Sequence, residues 1–368
     1  MREDEPEEGE VRVMIAGGGT GGHLTPALIL ARELAGRPRP ARLLLVGGPR
    51  GPDRELLPAS GLPYRLLPAP AVQRHHWWRN VGLPATLLRA VAVAWRVVTE
   101  FRPHVVVGTG GYVSVPVGIA AGLNKIPLLL QEQNRRPGLA TRLLARWARR
   151  VCVQFPETAD ALAGARPVIE VTGSPIAVPE PVPADFAGRL DPGRPTIGVF
   201  GGSQGARPIN DAMLALYAAE PGVAPNVIWQ TGAADFERVA QAAAWPERFV
   251  IRPFFTPMAA VYPRLDLIVC RSGAMTLAEI TAWGIPAILI PYPHATADHQ
   301  TVNARAMETA GAAILLPQAD AKPRRLSNLV DGLLSEPSHR ARMAAAARSL
   351  GRPDAARRVA DRVLEMAG

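Results

Sequence analysis

Lysine is almost missing from this chain of 368 residues. It occurs only as Lys125 and Lys322, so nearly all the positive charge is arginine. Aromatic residues make up 5% while hydrophobic residues make up 48%, so the core must be filled mainly by alanine, valine and leucine. The two cysteines, Cys152 and Cys270, sit in apolar runs. That excludes a disulfide framework and reads as reduced core thiols of a cytosolic protein. No apolar stretch reaches membrane-spanning length; the longest, GYVSVPVGIAAGL, carries Pro116 and Gly118. The opening MREDEPEEGE is acidic without an apolar centre, which excludes a secretory signal and predicts a frayed tail over residues 1–10. The chain reads as soluble or peripheral to a membrane.

Charge is present but unevenly placed. Residues 11–174 hold 21 basic against 8 acidic side chains, residues 175–368 hold 19 against 18, and the net charge of the whole is +9. A cationic first half beside a nearly neutral second half points to an anionic partner for the first half only.

Length alone suggests two domains, and the pattern agrees. Short apolar runs alternate with helical periodicity, which predicts parallel sheets covered by helices on both faces. The unit strand, glycine loop, helix appears at VRVMIAGGGTGGHLTPALILARELAG and restarts at TIGVFGGSQGARPINDAMLALYAA. In the first helix Pro26 stands near the first turn and Gly36 at the stop. A proline-dense stretch without clean periodicity separates the two copies. The predicted domains are residues 11–173, a linker at 174–195, residues 196–345, and a C-terminal helix over 346–368 that packs back on the first domain. Leu87, Leu88, Val91, Trp95 and Val98 recur at helical spacing and mark the buried face of a helix in the first domain.

The block Gly17-Gly18-Gly19-Thr20-Gly21-Gly22 formally satisfies a dinucleotide fingerprint. Such an enzyme should also end its second strand with an acid for the ribose hydroxyls. Here that strand closes on Gly47 and Gly48, with no acid before Asp53, which argues against a nicotinamide cofactor. A G-x-x-x-x-G-K-[ST] loop is also lacking. Three glycine loops, at 17–23, 108–112 and 201–207, each follow an apolar strand. Each alone is a tight turn as readily as a ligand loop; together they suit two phosphate-bearing ligands met by backbone amides and helix N-termini. Ser272-Gly273 opens a further helix, with Glu279 about two turns inside it.

The motifs GGTGGH, VVGTGGYVS, EQN, GGSQGAR, CRSGAMTLAEI and DHQTVNA, in this order, resemble the MurG family of bacterial glycosyltransferases. The resemblance runs over roughly residues 11–350. It implies an α/β fold of the GT-B type, two Rossmann-like parallel-sheet domains facing across a cleft. It also implies transfer of N-acetylglucosamine from UDP-N-acetylglucosamine to undecaprenyl-pyrophosphoryl-N-acetylmuramoyl-pentapeptide in peptidoglycan synthesis. Carried over by position, Ser203 meets the diphosphate, Phe255 meets uracil through its backbone, and Ala274, Met275, Thr276, Leu277, Ala278 and Glu279 bind phosphate and ribose. Gln300 and Asn134 contact sugar hydroxyls. Thr20, Gly21 and Gly22 close over the sugar and acceptor, with Gly110, Gly111 and Tyr112 on the acceptor side. Three positions depart from the pattern: Gln131 where histidine is frequent, Ala177 where arginine is typical, and Phe255 where isoleucine is frequent.

The implied chemistry inverts the anomeric centre and needs a base near the acceptor 4-hydroxyl and stabilisation of the departing diphosphate. His23 is the candidate base; the alternative is that it caps the helix or orients the loop. No D-x-D or clustered His/Asp/Glu pattern is visible, so no metal and no cofactor are expected. Arg74, Trp77, Trp78 and Arg79 read as a loop facing an anionic membrane surface, and Arg142, Arg146 and Arg149 as one basic helix face. Trp95, by its spacing, reads as core. The expected place is the cytoplasmic face of the cell membrane, peripherally bound. Rival readings are another GT-B transferase acting on a lipid or small molecule, or a UDP-N-acetylglucosamine epimerase. Nucleic-acid binding is not expected, since no helix-turn-helix, zinc or RNA-motif signature accompanies the arginines.

Overall fold

The computed structural model describes residues 10–39, 41–69, 82–162, 164, 167–177, 184–202, 204–218, 225–295 and 298–368. Arg74, Trp77, Trp78, Arg79 and Ser203 lie outside the described residues. The chain forms two compact units, the first running to Ala177 and regaining Asp354–Gly368, the second spanning Val178–Pro353.

In the first unit the strands are β1 Arg12–Gly17, β2 Arg42–Gly47, β3 Tyr64–Leu66, β4 Val105–Gly110, β5 Leu128–Glu132, β6 Arg150–Val153 and β7 Val168–Val171. They pair in the order β3-β2-β1-β4-β5-β6-β7, every ladder parallel. The pleat sends alternate side chains to opposite faces. Val13, Ile15, Leu43 and Leu45 meet helices Gly21–Ala35 and Ala355–Ala367 on one side. Met14, Ala16, Leu44 and Val46 meet helices Leu83–Phe101 and Ser114–Leu123 on the other. With both faces covered, the strands read as continuous apolar runs.

The second unit repeats the plan with β8 Thr196–Phe200, β9 Asn226–Gln230, β10 Phe249–Arg252, β11 Leu267–Cys270, β12 Ala287–Leu289 and β13 Ala313–Leu315. Their order is β10-β9-β8-β11-β12-β13, again all parallel.

Several elements differ from the sequence reading. β3 (Tyr-Arg-Leu) and β7 (Val-Ile-Glu-Val) are edge strands of three and four residues, too short for a period to mark them in the sequence. The helix Leu83–Phe101 buries Ala90, Ala94 and Val98, leaving Leu88 71% and Trp95 38% exposed. Small residues face inward because this helix packs tightly on Ser114–Leu123, so Trp95 is not core. Helix Gly21–Ala35 begins before Pro26 and holds it inside; the missing amide leaves the Gly22 carbonyl without its ladder donor. Residues 172–176 are buried in the first unit, while Phe186 is in the second unit's core and Asn226 binds the Asp191 and Arg194 backbone. The helix Pro337–Leu350 packs on Ala274–Trp283 in the second unit, so the chain returns to the first unit only at Asp354. The segment Leu139–Leu144 is a short helix that leaves Arg142, Arg146 and Arg149 exposed, the last two beyond its end.

Candidate functional site

Both sheets reverse their winding between the first and fourth strand of the unit, at β1/β4 and at β8/β11. In such folds ligands bind beyond the carboxyl ends of the strands at this switch point. The glycine loops after β1 and β4, and the loops after β8 and β11, are therefore where topology itself leaves room.

In the first unit, Asp53 is fully buried behind the first loop. Both its carboxylate oxygens accept from the Gly19 amide at 3.0 Å, and Oδ2 accepts from the Gly48 amide at 2.6 Å. A Cβ on Gly18 would collide with that carboxylate. So Gly18 is small to admit a carboxylate of the chain's own, and the Gly19 amide is not open to a phosphate. The amides of Gly21 and Gly22 begin the helix and have no ladder partner. Burial raises the Asp53 pKa, against the lowering effect of the two glycine amides. The next loop locks on the same place: Gly111, at φ +78°, has no room for a Cβ against the Gly18 carbonyl. The Tyr112 ring stands where side chains on Gly19 and Gly48 would be, and its hydroxyl is buried without a partner among the described residues. Burial, then the Asp53 charge, holds the Tyr112 pKa above its ordinary value.

His23 lies against Gly110. Its Nδ1 is 2.9 Å from the Thr20 hydroxyl, and its carbonyl accepts from Thr109 Oγ1 at 2.8 Å. Thr20 is the N-cap by position but makes no side-chain cap bond; its hydroxyl goes to the imidazole instead. Burial lowers the His23 pKa, and the Glu132 and Asp53 charges only partly offset it. The ring is neutral at pH 7. Whichever proton Nδ1 shares with Thr20, Nε2 takes the complementary role, so a Thr20 that accepts leaves Nε2 with a free lone pair.

Glu132, 3% exposed, is the anchor of the third strand end. Its Oε1 accepts from the Asn134 amide and Nδ2 at 2.9 and 3.0 Å; its Oε2 accepts from the Gly138 amide at 2.8 Å and from Thr141 Oγ1 at 2.5 Å. A carboxylate with four donors is a scaffold, not a base. It leaves Asn134 Oδ1 as that side chain's acceptor. Gln131, at the position of the departure, donates to the Gly173 carbonyl at 3.0 Å.

In the second unit, Ala274, Leu277 and Ala278 are buried, so of residues 274–279 in the helix Ala274–Trp283 it is Met275, Thr276 and Glu279 that offer side chains. Leu277 already donates to the Gly273 carbonyl; Met275 and Thr276 amides lie in the first turn, outside the ladder. Gln300 Oε1 accepts from the Tyr292 amide at 2.9 Å, so its side chain offers donors. Ser272 and Asn303 tie the helix His299–Thr309 to the loop after β11 through the Gln300 and Ser272 carbonyls. Arg271, 8% exposed, donates to the Ile290 and Pro291 carbonyls and to Gln318 Oε1, three neutral acceptors, and burial lowers its pKa. Phe255 is 3% exposed, its ring edge-on to Phe186 and Phe200. Its amide donates to Gln230 Oε1 at 3.1 Å, which leaves the carbonyl as its open backbone group.

Thus Thr20, Gly21, Gly22, His23, Gly110, Gly111, Tyr112 and Asn134 gather at one switch point, and Phe255, the 274–279 helix start and Gln300 at the other. Asp53, Glu132, Gln230, Tyr262 and Arg271 escaped the sequence reading. Asp53 was the acid sought at the end of β2, standing farther on and turned to a structural task. Glu132 and Arg271 stand inside the motifs EQN and CRSGAMTLAEI without being singled out, and Gln230 and Tyr262 lacked a local signal because their partners lie 25 and 17 positions away.

Residues 13–153 match the glycosyltransferase family 28 N-terminal domain and residues 196–359 its C-terminal domain. A protein of Syntrophotalea carbinolica named UDP-N-acetylglucosamine–N-acetylmuramyl-(pentapeptide) pyrophosphoryl-undecaprenol N-acetylglucosamine transferase is 43% identical, covering 95% of this chain and 97% of its own. A Desulforudis audaxviator protein of the same name is 40% identical over 97% of this chain and 99% of its own. The crystal structure of Acinetobacter baumannii MurG superposes with a TM-score of 0.73 at 29% identity, covering 96% of this chain and 99% of that one.

Proposed function

The chain belongs to glycosyltransferase family 28, and from that we propose that it transfers N-acetylglucosamine from UDP-N-acetylglucosamine to the 4-hydroxyl of undecaprenyl-pyrophosphoryl-N-acetylmuramoyl-pentapeptide, with inversion. The observation that carries this reading is the 43% identity, over nearly the full length of both chains, to a protein bearing that activity in its name.

In this reading the second unit holds the donor. Met275 and Thr276 amides and the dipole of their helix receive the diphosphate, and the resemblance assigns Ser203 to the same group. Glu279 receives ribose, the Phe255 carbonyl accepts from the uracil N–H, and Gln300 donates to sugar hydroxyls. The first unit holds the acceptor among Gly110, Gly111 and Tyr112, with Asn134 and the Gly21 and Gly22 amides on the sugar side. His23 Nε2 removes the hydroxyl proton as the acceptor oxygen attacks the anomeric carbon and UDP departs. The reaction is read as metal-independent because no D-x-D occurs in the sequence.

The test is a transfer assay with radiolabelled UDP-N-acetylglucosamine and a short-chain analogue of the lipid-linked acceptor. Labelled disaccharide on the lipid is expected. Equal use of UDP-glucose, or transfer only to other acceptors, would assign the chain to another GT-B transferase; N-acetylmannosamine as product would make it an epimerase.

No helix among the described residues is long and apolar enough to cross a membrane. We place the protein peripherally, on the cytoplasmic face, through a basic and apolar surface of the first unit. Leu123, Leu139, Leu143 and Trp147 are 57%, 51%, 40% and 36% exposed, and the Arg146 guanidinium lies 4.4 Å above the Trp147 ring. Exposed Lys125, Arg136 and Arg142 accompany them. Each basic residue near an anionic leaflet is worth about 1 kcal/mol. The double variant Arg142→Glu, Arg146→Glu should therefore weaken cosedimentation with anionic vesicles by about 10-fold or more at low salt. Equal binding of both proteins would remove this surface from the reading. Duplex DNA is expected not to bind at physiological salt.

A further inference from the structure

The second unit pairs a motif residue, Glu279, with a buried tyrosine that none of the motifs includes. Tyr262, 5% exposed, lies in the short turn Tyr262–Arg264 that leads into β11. Its hydroxyl donates to Glu279 Oε2 at 2.6 Å, and its ring leans on Trp283 with centroids 6.3 Å apart. The phenol is thus held from both ends, by packing and by the carboxylate.

Few groups act on this carboxylate. Burial pushes the Glu279 pKa up to about 7, and the hydrogen bond from Tyr262 is what opposes it. From β11 it is faced by Cys270, whose thiol is itself pushed up to about 12 and stays neutral. From the helix Pro337–Leu350, packed alongside, Arg348 lies against Gly284 at the far end of Glu279's helix. Tyr262 stays protonated, its pKa raised by burial and by Glu279, so it is a fixed donor. Among the described residues, no cation acts on the Glu279 carboxylate itself.

We propose that Tyr262 is a positioning residue for donor binding: it fixes Glu279 Oε2 and favours the ionised carboxylate, so that Oε1 accepts a hydrogen bond from a ribose hydroxyl of the uridine diphosphate sugar. This rests on the donor reading given above. A carboxylic acid in the same place would spend one oxygen as a donor and would lose the charge-assisted bond to the sugar. The sign follows. Binding needs the charged form, which is populated above the Glu279 pKa, so donor affinity rises with pH through neutrality. Removing the phenol hydroxyl removes the group that lowers this pKa, and the rise moves to higher pH.

The experiment is calorimetric titration of UDP-N-acetylglucosamine into wild type, Tyr262→Phe and Glu279→Gln between pH 6 and 9. The diphosphate, esterified at both ends, does not titrate in this window, and the uracil N–H begins to ionise only at its upper edge, equally for all three proteins. Wild-type affinity is expected to climb with pH across neutrality. Tyr262→Phe, which keeps the ring and its packing on Trp283, should bind about 10-fold more weakly at pH 7, the worth of one hydrogen bond to a charged group, and recover toward wild type at pH 9. Glu279→Gln should bind weakly with no pH dependence. Wild-type affinity in Tyr262→Phe at every pH, or one constant factor of loss across the range, overturns the proposal. A wild type that does not bind UDP-N-acetylglucosamine at all overturns the donor assignment, and the proposal with it.

Discussion

Replacing His23 with alanine is expected to lower turnover by about 10²–10⁴-fold at neutral pH, the range a positioned general base contributes. UDP-N-acetylglucosamine affinity should be unchanged, because the His23 side chain is assigned no contact with the donor. The imidazole suits the task. Burial keeps it neutral, and Thr20 Oγ1 at 2.9 Å holds Nδ1, so one orientation of the ring is selected. The pH profile follows with a definite sign. A base works while unprotonated, and a pKa below the ordinary 6.5 means that the acid limb of kcat/KM falls at a pH lower than a free imidazole would give. In His23→Ala that limb should vanish. Turnover near wild type with donor binding intact would reduce His23 to a loop residue.

The second large effect is expected at Glu132. Glu132→Ala removes the acceptor for four donors at once. Two of these are backbone amides, Asn134 and Gly138, and a buried donor left without a partner costs about 1–3 kcal/mol. The segment from Asn134 to Thr141 should therefore lose about 2–6 kcal/mol of local stability. Amide hydrogen exchange would read this as faster exchange confined to that segment. Because Glu132 also sets the Asn134 side chain, the KM for the donor sugar should rise in the transfer assay. Unaltered protection over 134–141 would show that water replaces the carboxylate without loss.

Much of the architecture was legible from residue order. Runs such as VRVMI, LLLVG and LIVC are buried on both faces, and only a parallel sheet with helices on each side accommodates them. Glycine loops after β1, β4 and β8 pointed to the strand ends where topology reverses. What misled was local periodicity without knowledge of the neighbour. Trp95 sits at core spacing, yet the adjacent helix is so close that only Ala90, Ala94 and Val98 fit against it. β3 and β7 were not legible because three or four residues are too few for a strand period to show.

The partners of the site side chains belong to the tertiary structure. GGTGGH promises amides for an anion, and folding then gives the Gly19 amide to Asp53, a residue that sequence could only register as an acid in the wrong place. EQN promises a polar loop, and folding makes its glutamate a scaffold. The helix carrying Glu279 was readable; the phenol that holds its carboxylate was not. Order along the chain determines which strands form and where glycines allow close approach, because those are local properties of backbone and side-chain size. Which donor meets which acceptor at separations of 17 or 34 positions is decided only when the sheet brings its strand ends together, because a hydrogen bond is made by distance and direction in space.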